Sequence, residues 1–252
     1  MKTILITGIG SLGEAFLRLL HNQSNLICID QNEWTIARLQ KQYPDVKFIL
    51  DDFANWKFNQ YPVDYIVHTA AYKHLPLGEE NPSSFIDNNI IKLRTLFQEA
   101  YQHGVELLFI STDKAVEPTS LYGYTKAIGE GLAKHYEFSV ARLGNILNSS
   151  GSVIPVWEKA IDLEQPIPIT DERMVRYFIE DIRAADQLWD MFCAGKKLII
   201  PKCEKIRLLD LLGEVLKRKG YQTPADYKPG VTIIGMREGE KMEEKLTWEG
   251  EI

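Results

Sequence analysis

A hydroxyl, an acid and an amine follow one another at Thr112-Asp113-Lys114, directly after Ser111 and the apolar run Val105–Ile110. Tyr122 stands eight residues past Lys114, and Lys126 four residues beyond Tyr122. Positions i and i+4 share a helix face. On that face the lysine's charge is expected to pull the phenol toward neutrality and make it a usable base. With the Thr112 hydroxyl, the Tyr/Lys pair suffices to move a hydride to or from an alcohol carbon. Asp113 and Lys114 add a second donor and acceptor of protons, so more than alcohol oxidation is expected. The tyrosine–lysine spacing alone carries little. Tyr43 and Lys47 repeat it, and there Pro44 and the strand pattern that follows mark a structural copy.

Ligands in open parallel α/β sheets bind beyond the C-terminal ends of the strands. The positioning elements are therefore the apolar runs that end just before these residues. The first half alternates strand-like and helix-like periodicity. Strands are predicted at Thr3–Thr7, Leu26–Asp30, Lys47–Leu50, Asp64–Thr69, Val105–Ser111 and Phe138–Arg142. Helices are predicted at Leu12–His21, Glu33–Gln42, Pro82–His103 and Leu121–His135. Such alternation implies a parallel sheet covered on both faces. The second half is less regular. It reads as a loop at Ser149-Ser150-Gly151-Ser152, helices at Ile182–Phe192 and Leu208–Lys217, and strands near Lys197–Ile200 and Val231–Gly235.

Gly8-Ile9-Gly10-Ser11-Leu12-Gly13 lies between the first strand and the first helix. Glycines there allow a tight turn and close approach to a pyrophosphate, which meets the free N–H groups of the helix start. Asp30 ends the next strand, where a carboxylate binds ribose hydroxyls and repels a 2′-phosphate. The cofactor reading is therefore NAD rather than NADP, with Asp52 at the third strand end as an adenine contact. Lys73 and His74 follow the fourth strand, where the nicotinamide would lie. Lys73 is read as a cofactor or sugar contact and His74 as structural. The predicted fold is α/β: a Rossmann-type doubly wound parallel sheet over residues 1–150. A small substrate-binding lobe over 151–252 interleaves with it, because elements near 177–200 return to the sheet.

The bulk properties narrow the partners. A 252-residue chain with formal charge −6 is ill-suited to non-specific nucleic-acid binding. Any phosphate must be held by a local group of arginines or amides. Cys28, Cys193 and Cys203 are scattered and odd in number, which reads as reduced thiols in a cytoplasm. The N-terminal apolar run is short for a signal peptide, and no run approaches a membrane span. No histidine pair has metal-ligand spacing. The five dispersed tryptophans read as packing residues.

Five segments share one further likeness: His68–Pro76, Ser111–Lys126, Arg142–Pro155, Ile169–Phe178 and Arg237–Lys241. Together they resemble the inverting UDP-N-acetylglucosamine 4,6-dehydratases, a polysaccharide-biosynthesis branch of the extended short-chain dehydrogenase/reductases. Retaining sugar-nucleotide dehydratases usually carry Thr-Asp-Glu at this strand end, and here Lys114 stands at the glutamate's place. The resemblance implies a cytoplasmic, NAD-dependent homo-oligomer acting on a UDP-sugar for deoxy-amino-sugar and surface-polysaccharide biosynthesis. Thr112 would orient the C4 hydroxyl and Tyr122, supported by Lys126, would take its proton. Lys114 would remove the C5 hydrogen, and Asp113 would protonate the departing C6 hydroxyl. Proton movement between Asp113 and Lys114 on substrate binding is expected, because a plain ion pair leaves each in the wrong state.

Ala70 and Ala71 match cofactor-lining positions of the family. Arg176 and Arg237 match positions that hold the nucleotide diphosphate, as planar guanidinium suits. Asn145, Thr170 and Glu240 match other substrate contacts, with Glu240 toward the uridine ribose. The glycine loop is one residue shorter than the family's usual Thr-Gly-x-x-Gly-x-x-Gly. Rival readings are a 4-epimerase or 4-keto-reductase, which need no acid/base pair for water loss, and a non-catalytic NAD-sensing protein.

Overall fold

A computed structural model describes residues 1–147, 149 and 151–251. The strands of the first half are β1 (Thr3–Thr7), β2 (Asn25–Asp30), β3 (Lys47–Leu50), β4 (Tyr65–His68), β5 (Glu106–Thr112) and β6 (Ser139–Leu143). Those of the second half are β7 (Asn145–Ile146), β8 (Ile167–Ile169), β9 (Val175–Ile179), β10 (Leu198–Ile199), β11 (Glu204–Arg207) and β12 (Val231–Ile233). Seven form one parallel sheet in the order β10-β6-β5-β4-β1-β2-β3. This is the doubly wound, Rossmann-type arrangement.

Helices cover both faces, so alternate residues of one strand enter different cores. Ile4 and Ile6 of β1 pack with Phe16 and Leu17 on one face. Leu5 packs with Leu96 and Phe97 on the other. Residues buried on both faces explain the near-continuous apolar strands. The first face is covered by α1 (Ser11–Leu20), whose Phe16 and Leu17 enter that core. The second includes α5 (Leu93–Gln102), and α6 (Leu121–His135) follows β5. In α6, Ser120 caps the N-terminus by accepting from Gly123 N at 3.2 Å. The remaining helices of the first half are α2 (Glu33–Gln42), α3 (Leu75–Glu80) and α4 (Pro82–Ile86).

The predicted helix over Pro82–His103 is interrupted. Between α4 and α5, Asp87–Lys92 winds as a π-helix. The wider turn places Asn88 and Asn89 in the interior, 6% and 4% exposed. Asn89 then clamps Tyr72, accepting from its N–H at 2.9 Å and donating to its carbonyl at 2.8 Å.

The second half contains more regular structure than its pattern announces. Helix α7 (Val153–Asp162) falls where the sequence pattern predicts no helix, and Pro155 is its third residue. Pro155 sits in the first turn, where N–H groups lack intrahelical partners, so its missing donor costs nothing there. Ser150, in the expected loop just before it, lies outside the described residues. Strands β11, β9 and β7 form a separate three-stranded sheet, and β12 pairs with β8. The last helices are α8 (Asp181–Cys193) and α9 (Leu208–Arg218). Helix α8 places Ala184, Ala185 and Leu188 in the same core as α1, and β10 extends the main sheet. Helices α7 and α9 pack around Trp157, Phe178 and Leu212 in a third core. Trp157 and Trp56 are buried, whereas Trp34 is 86% exposed and packs no core.

Candidate active site

The C-terminal ends of β1, β2, β4 and β5 open into a cleft of about 580 Å³ between the main sheet and the smaller lobe. Its nucleotide-side wall is the glycine loop Gly8–Gly13 with Asp30, Ala70, Ala71 and Lys73. Thr112, Lys114, Tyr122 and Lys126 line its floor. Asn145, Thr170, Arg176, Arg237 and Glu240 line the opposite wall. All the sequence-predicted site residues border this cleft except Asp113 and Asp52.

The glycine loop is shaped by close approach. Gly8 holds φ +81°, and a Cβ on it would lie 2.5 Å from the Ala70 Cα. A Cβ on Gly13 would lie 2.1 Å from the Gly8 carbonyl oxygen. A Cβ on Gly10 would meet nothing within 4 Å, so its main chain faces open cleft. Asp30 accepts from Ile9 N and from Asn32 N at 2.7 Å, which fixes its carboxylate beside the loop. An exposed helix start, an open glycine and a carboxylate at the second strand end fit a dinucleotide. Gly8, Gly10, Ser11, Leu12, Gly13, Asp30, Ala70 and Ala71 are the residues placed to hold one. Lys73 sits solvent-exposed at the rim, and the protein crowding it lowers its pKa.

Asp52 departs from the expectation. Its carboxylate pairs with Lys92 at 2.7 Å and accepts from Ala54 N at 3.0 Å, capping the short turn Phe53–Asn55. Asp51 and Phe53 border the cleft in its place. One residue of register after β3 decides this, because successive side chains diverge where a strand ends.

The turn after β5 holds the acid and the amine together. Asp113 is fully buried and does not border the cleft, whereas its neighbours Thr112 and Lys114 do. Its Oδ1 accepts from Lys114 Nζ at 2.9 Å and from the Thr112 hydroxyl at 3.0 Å. Its Oδ2 has no hydrogen-bond partner. An unpartnered buried carboxylate oxygen is costly, and it is also the place for a proton.

Tyr122 and Lys126 face the cleft from one side of α6, as the spacing requires. Their electrostatics differ from the expectation. Protein crowding pushes the Tyr122 phenol up from its ordinary value and Asp113 adds to this, with the Thr112 hydroxyl pulling the other way. Lys126 is engaged elsewhere: its Nζ donates to the Ile110 carbonyl at 2.7 Å and lies 4.6 Å over the Phe109 ring. Burial pulls Lys126 itself down to about 7, opposed by Glu130. The same buried position and the neighbouring Lys126 take His68 down to about 3. His68 shares a 2.7 Å hydrogen bond with Thr7 Oγ1 beneath the glycine loop.

The lobe-side wall is organised by the segment 237–251. Arg176 is 8% exposed. Its guanidinium donates to Val175 O at 2.8 Å, Met242 O at 3.1 Å and Lys241 O at 2.7 Å. The expected diphosphate ligand thus ties the C-terminal segment to β9, and only its remaining N–H groups are left for the cleft. Arg237 N donates to the Glu240 carboxylate at 2.9 Å. Asn145 Nδ2 donates to Tyr177 O at 3.2 Å. Farther along, buried Arg142 donates to Leu246 O at 2.9 Å and pairs with Glu130 and Glu251.

Sequence reasoning passed over one cleft residue that the structure brings in. Glu244 is 2% exposed, 2.7 Å from Lys241 Nζ and 3.8 Å from Lys114 Nζ. Its only sequence signal is the i,i+3 spacing from Lys241, which any surface ion pair shares. Among the described residues, no group of three or more His, Cys, Asp and Glu is arranged to hold a metal ion. No described helix is long and apolar enough to cross a membrane.

Residues 4–252 match the family described as polysaccharide biosynthesis protein. The chain belongs to this family. A Methanocaldococcus jannaschii protein named as an uncharacterized membrane protein is 36% identical, over 100% of this chain and 82% of its own length. A Campylobacter jejuni protein named UDP-N-acetylglucosamine 4,6-dehydratase (inverting) is 29% identical, over 96% of this chain and 76% of its own. A Rickettsia bellii protein named UDP-glucose 4-epimerase is 31% identical, over 97% and 77%. Two further family relatives match all of this chain but only 46% of their own length. The solved structure of Pen from Bacillus thuringiensis superposes with a TM-score of 0.89 at 27% identity, covering 97% of this chain and 83% of that one.

Proposed function

We propose that this chain is a nucleotide-sugar 4,6-dehydratase acting on UDP-N-acetylglucosamine, with inversion at C5. The observation that carries the reading is the Thr112-Asp113-Lys114 turn, whose cleft-facing amine lines the floor with Tyr122 and Lys126 and is paired at 2.9 Å with the buried acid. An alcohol oxidation uses Tyr122, Lys126 and Thr112. Only an elimination also needs a proton acceptor at one carbon and a proton donor at the next.

Cofactor selection follows from Asp30, whose fixed carboxylate beside the glycine loop favours NAD and disfavours a 2′-phosphate. Held by the glycine loop Gly8–Gly13 and Asp30, NAD would supply a hydride acceptor for C4 and the hydride donor for C6. Tyr122 takes the C4 hydroxyl proton while Thr112 orients that hydroxyl. The ketone so formed acidifies the C5 hydrogen, which Lys114 removes. Asp113 gives its proton to the leaving C6 hydroxyl. The ion pair at 2.9 Å must first pass its proton from Lys114 to Asp113, and substrate closing the cleft favours this by removing water from two opposite charges. Arg237 and the free N–H groups of Arg176 supply the positive charge that a diphosphate needs in a chain of net charge −6.

The Rickettsia relative gives a specific reason to test an epimerase. Incubation with UDP-N-acetylglucosamine and NAD in deuterated water, read by NMR and mass spectrometry, separates the two. Loss of one water with deuterium at C5 is the expected outcome, and the ring couplings report the configuration. Unchanged mass with an altered C4 centre would establish the epimerase instead.

A further inference from the structure

Lys241 reaches from the C-terminal segment to the turn that carries the acid/base pair. Its Nζ donates to Val116 O at 2.9 Å and to Glu117 O at 3.3 Å. Glu117 holds φ +47°, a left-handed conformation uncommon outside glycine. Such a conformation persists where its surroundings hold it in place. The turn is also tied by Thr119 Oγ1, which donates to Gly239 O at 2.8 Å.

The same Lys241 Nζ lies 2.7 Å from Glu244 Oε2, an ion pair whose alignment leaves that oxygen without a hydrogen bond. The other Glu244 oxygen lies 3.8 Å from Lys114 Nζ, and Lys114 Nζ lies 2.9 Å from Asp113. Four charges therefore alternate in sign: Asp113, Lys114, Glu244, Lys241. Lys114 has two buried carboxylates within reach, and Lys241 occupies the farther one.

We propose that Lys241 is a positioning residue for the acid/base pair. It fastens the Val116–Glu117 turn and engages Glu244, and so keeps Lys114 on Asp113. This inference rests on the dehydratase reading. In the elimination the C5–H bond breaks, its proton passes to Lys114 Nζ and its electron pair forms the C5=C6 bond. The C6–O bond breaks, and the hydroxyl leaves as water with the proton from Asp113. Both transfers require Lys114 and Asp113 side by side. Without Lys241, Glu244 is a buried carboxylate whose nearest cation is Lys114. A buried charge without a partner is strongly unfavourable. Glu244 would then draw the Lys114 ammonium from Asp113 and hold it protonated, unable to accept the C5 hydrogen. The hydride step uses Tyr122, Lys126 and Thr112, none of which hydrogen-bonds or pairs with Lys241 or Glu244.

A double-mutant cycle tests the proposal. Wild type, K241M, E244Q and K241M/E244Q are given UDP-N-acetylglucosamine and NAD in deuterated water under single-turnover conditions. Oxidation at C4 is read from the near-ultraviolet absorbance of reduced nicotinamide, and elimination from water loss with deuterium at C5. K241M is expected to slow elimination by about 10- to 100-fold, with C4 oxidation kept within about two-fold. Reduced nicotinamide then accumulates. Adding E244Q to K241M is expected to recover elimination about ten-fold, because the capturing charge is gone. A purely structural role predicts no recovery and equal loss of both steps. Undiminished elimination in K241M, equal loss of both steps, or no recovery in the double variant would each overturn the proposal. Should K241M fail to fold, K241Q and K241Q/E244Q decide by the same criteria. Wild-type protein that releases no water would overturn the dehydratase reading and this inference with it. Wild-type dehydration beside an unaffected K241M overturns the inference alone.

Discussion

The two walls of the cleft are held together over different distances along the chain. On the nucleotide side, Asp30 fixes Ile9 across 21 positions and Asn89 fixes Tyr72 across 17. Those partners lie on successive strands and helices of one sheet. On the lobe side, Lys241 reaches Val116 across 125 positions and Lys245 reaches Glu117 across 128. The nucleotide wall is thus set largely by close main-chain approach between β1 and its sheet neighbours β2 and β4. The lobe-side wall depends on a distant segment docking through side chains. Changes in the first should act on cofactor affinity, and changes in the second on the sugar chemistry.

The sharpest test of this division is K114A. It removes the C5 base and is expected to lower dehydration by about 10³-fold. NAD affinity, measured by calorimetry, should stay within about two-fold, since Lys114 touches no residue of the glycine loop. A parallel fall in NAD affinity would break the separation between the walls. The converse variant is G13A. Its Cβ would sit 2.1 Å from a main-chain oxygen, which cannot yield as a flexible side chain would. NAD binding is expected to weaken by about 100-fold, with a lower melting temperature from overpacking.

R176M frees the C-terminal segment from β9. An increase in sugar-nucleotide KM of about ten-fold at constant NAD affinity is expected, and unchanged KM would remove Arg176 from the lobe-side wall. A separate effect, on stability rather than activity, is expected at the floor between the walls. Burial lowers Lys126 from 10.5 to about 7. Between those values the unfolded chain binds a proton that the folded one has released, so unfolding free energy rises with pH across that window. In cofactor-free protein the Lys126 contribution is present above pH 10.5 and lost as pH falls to about 7. It amounts to roughly 5 kcal/mol. Urea midpoints measured across this range should rise less steeply in K126M. The smallest effect is expected from D52N, which should alter NAD affinity by less than about two-fold because Asp52 is turned to Lys92.

What was legible in the sequence follows the same division. Strands β1 and β3 and helices α2 and α6 fall on the predicted residues, because periodicity and turn chemistry there agree with the packing that results. The π-helical turn was not legible, since nothing in the local pattern of Asp87–Lys92 separates it from an α-helix. Its cause is tertiary: Asn89 satisfies the Tyr72 main chain from the interior. Helix α7 was not predicted; Pro155 is tolerated there because it falls in the first turn. The lobe strands β7, β9 and β11 were missed: β7 is two residues long, and β9 (Val-Arg-Tyr-Phe-Ile) and β11 (Glu-Lys-Ile-Arg) are interrupted by charge where β1 carries an apolar run.

Residue types and spacings by themselves determined the parallel sheet, the glycine loop with Asp30, and the grouping of Thr112, Asp113, Lys114, Tyr122 and Lys126 near one strand end. Each rests on neighbours within a strand–turn–helix unit, where local geometry limits the outcome. Tertiary structure alone decided the charges and partners. It turned Asp52 from the cleft, committed most of Arg176 to main-chain carbonyls, and raised Tyr122 where a nearby lysine had been expected to lower it. It also placed Glu244 beside Lys114. Burial and docking of distant segments set these features: Asp52 meets Lys92 across 40 positions, Arg176 meets Lys241 across 65, and Glu244 comes to Lys114 from the far end of the sequence.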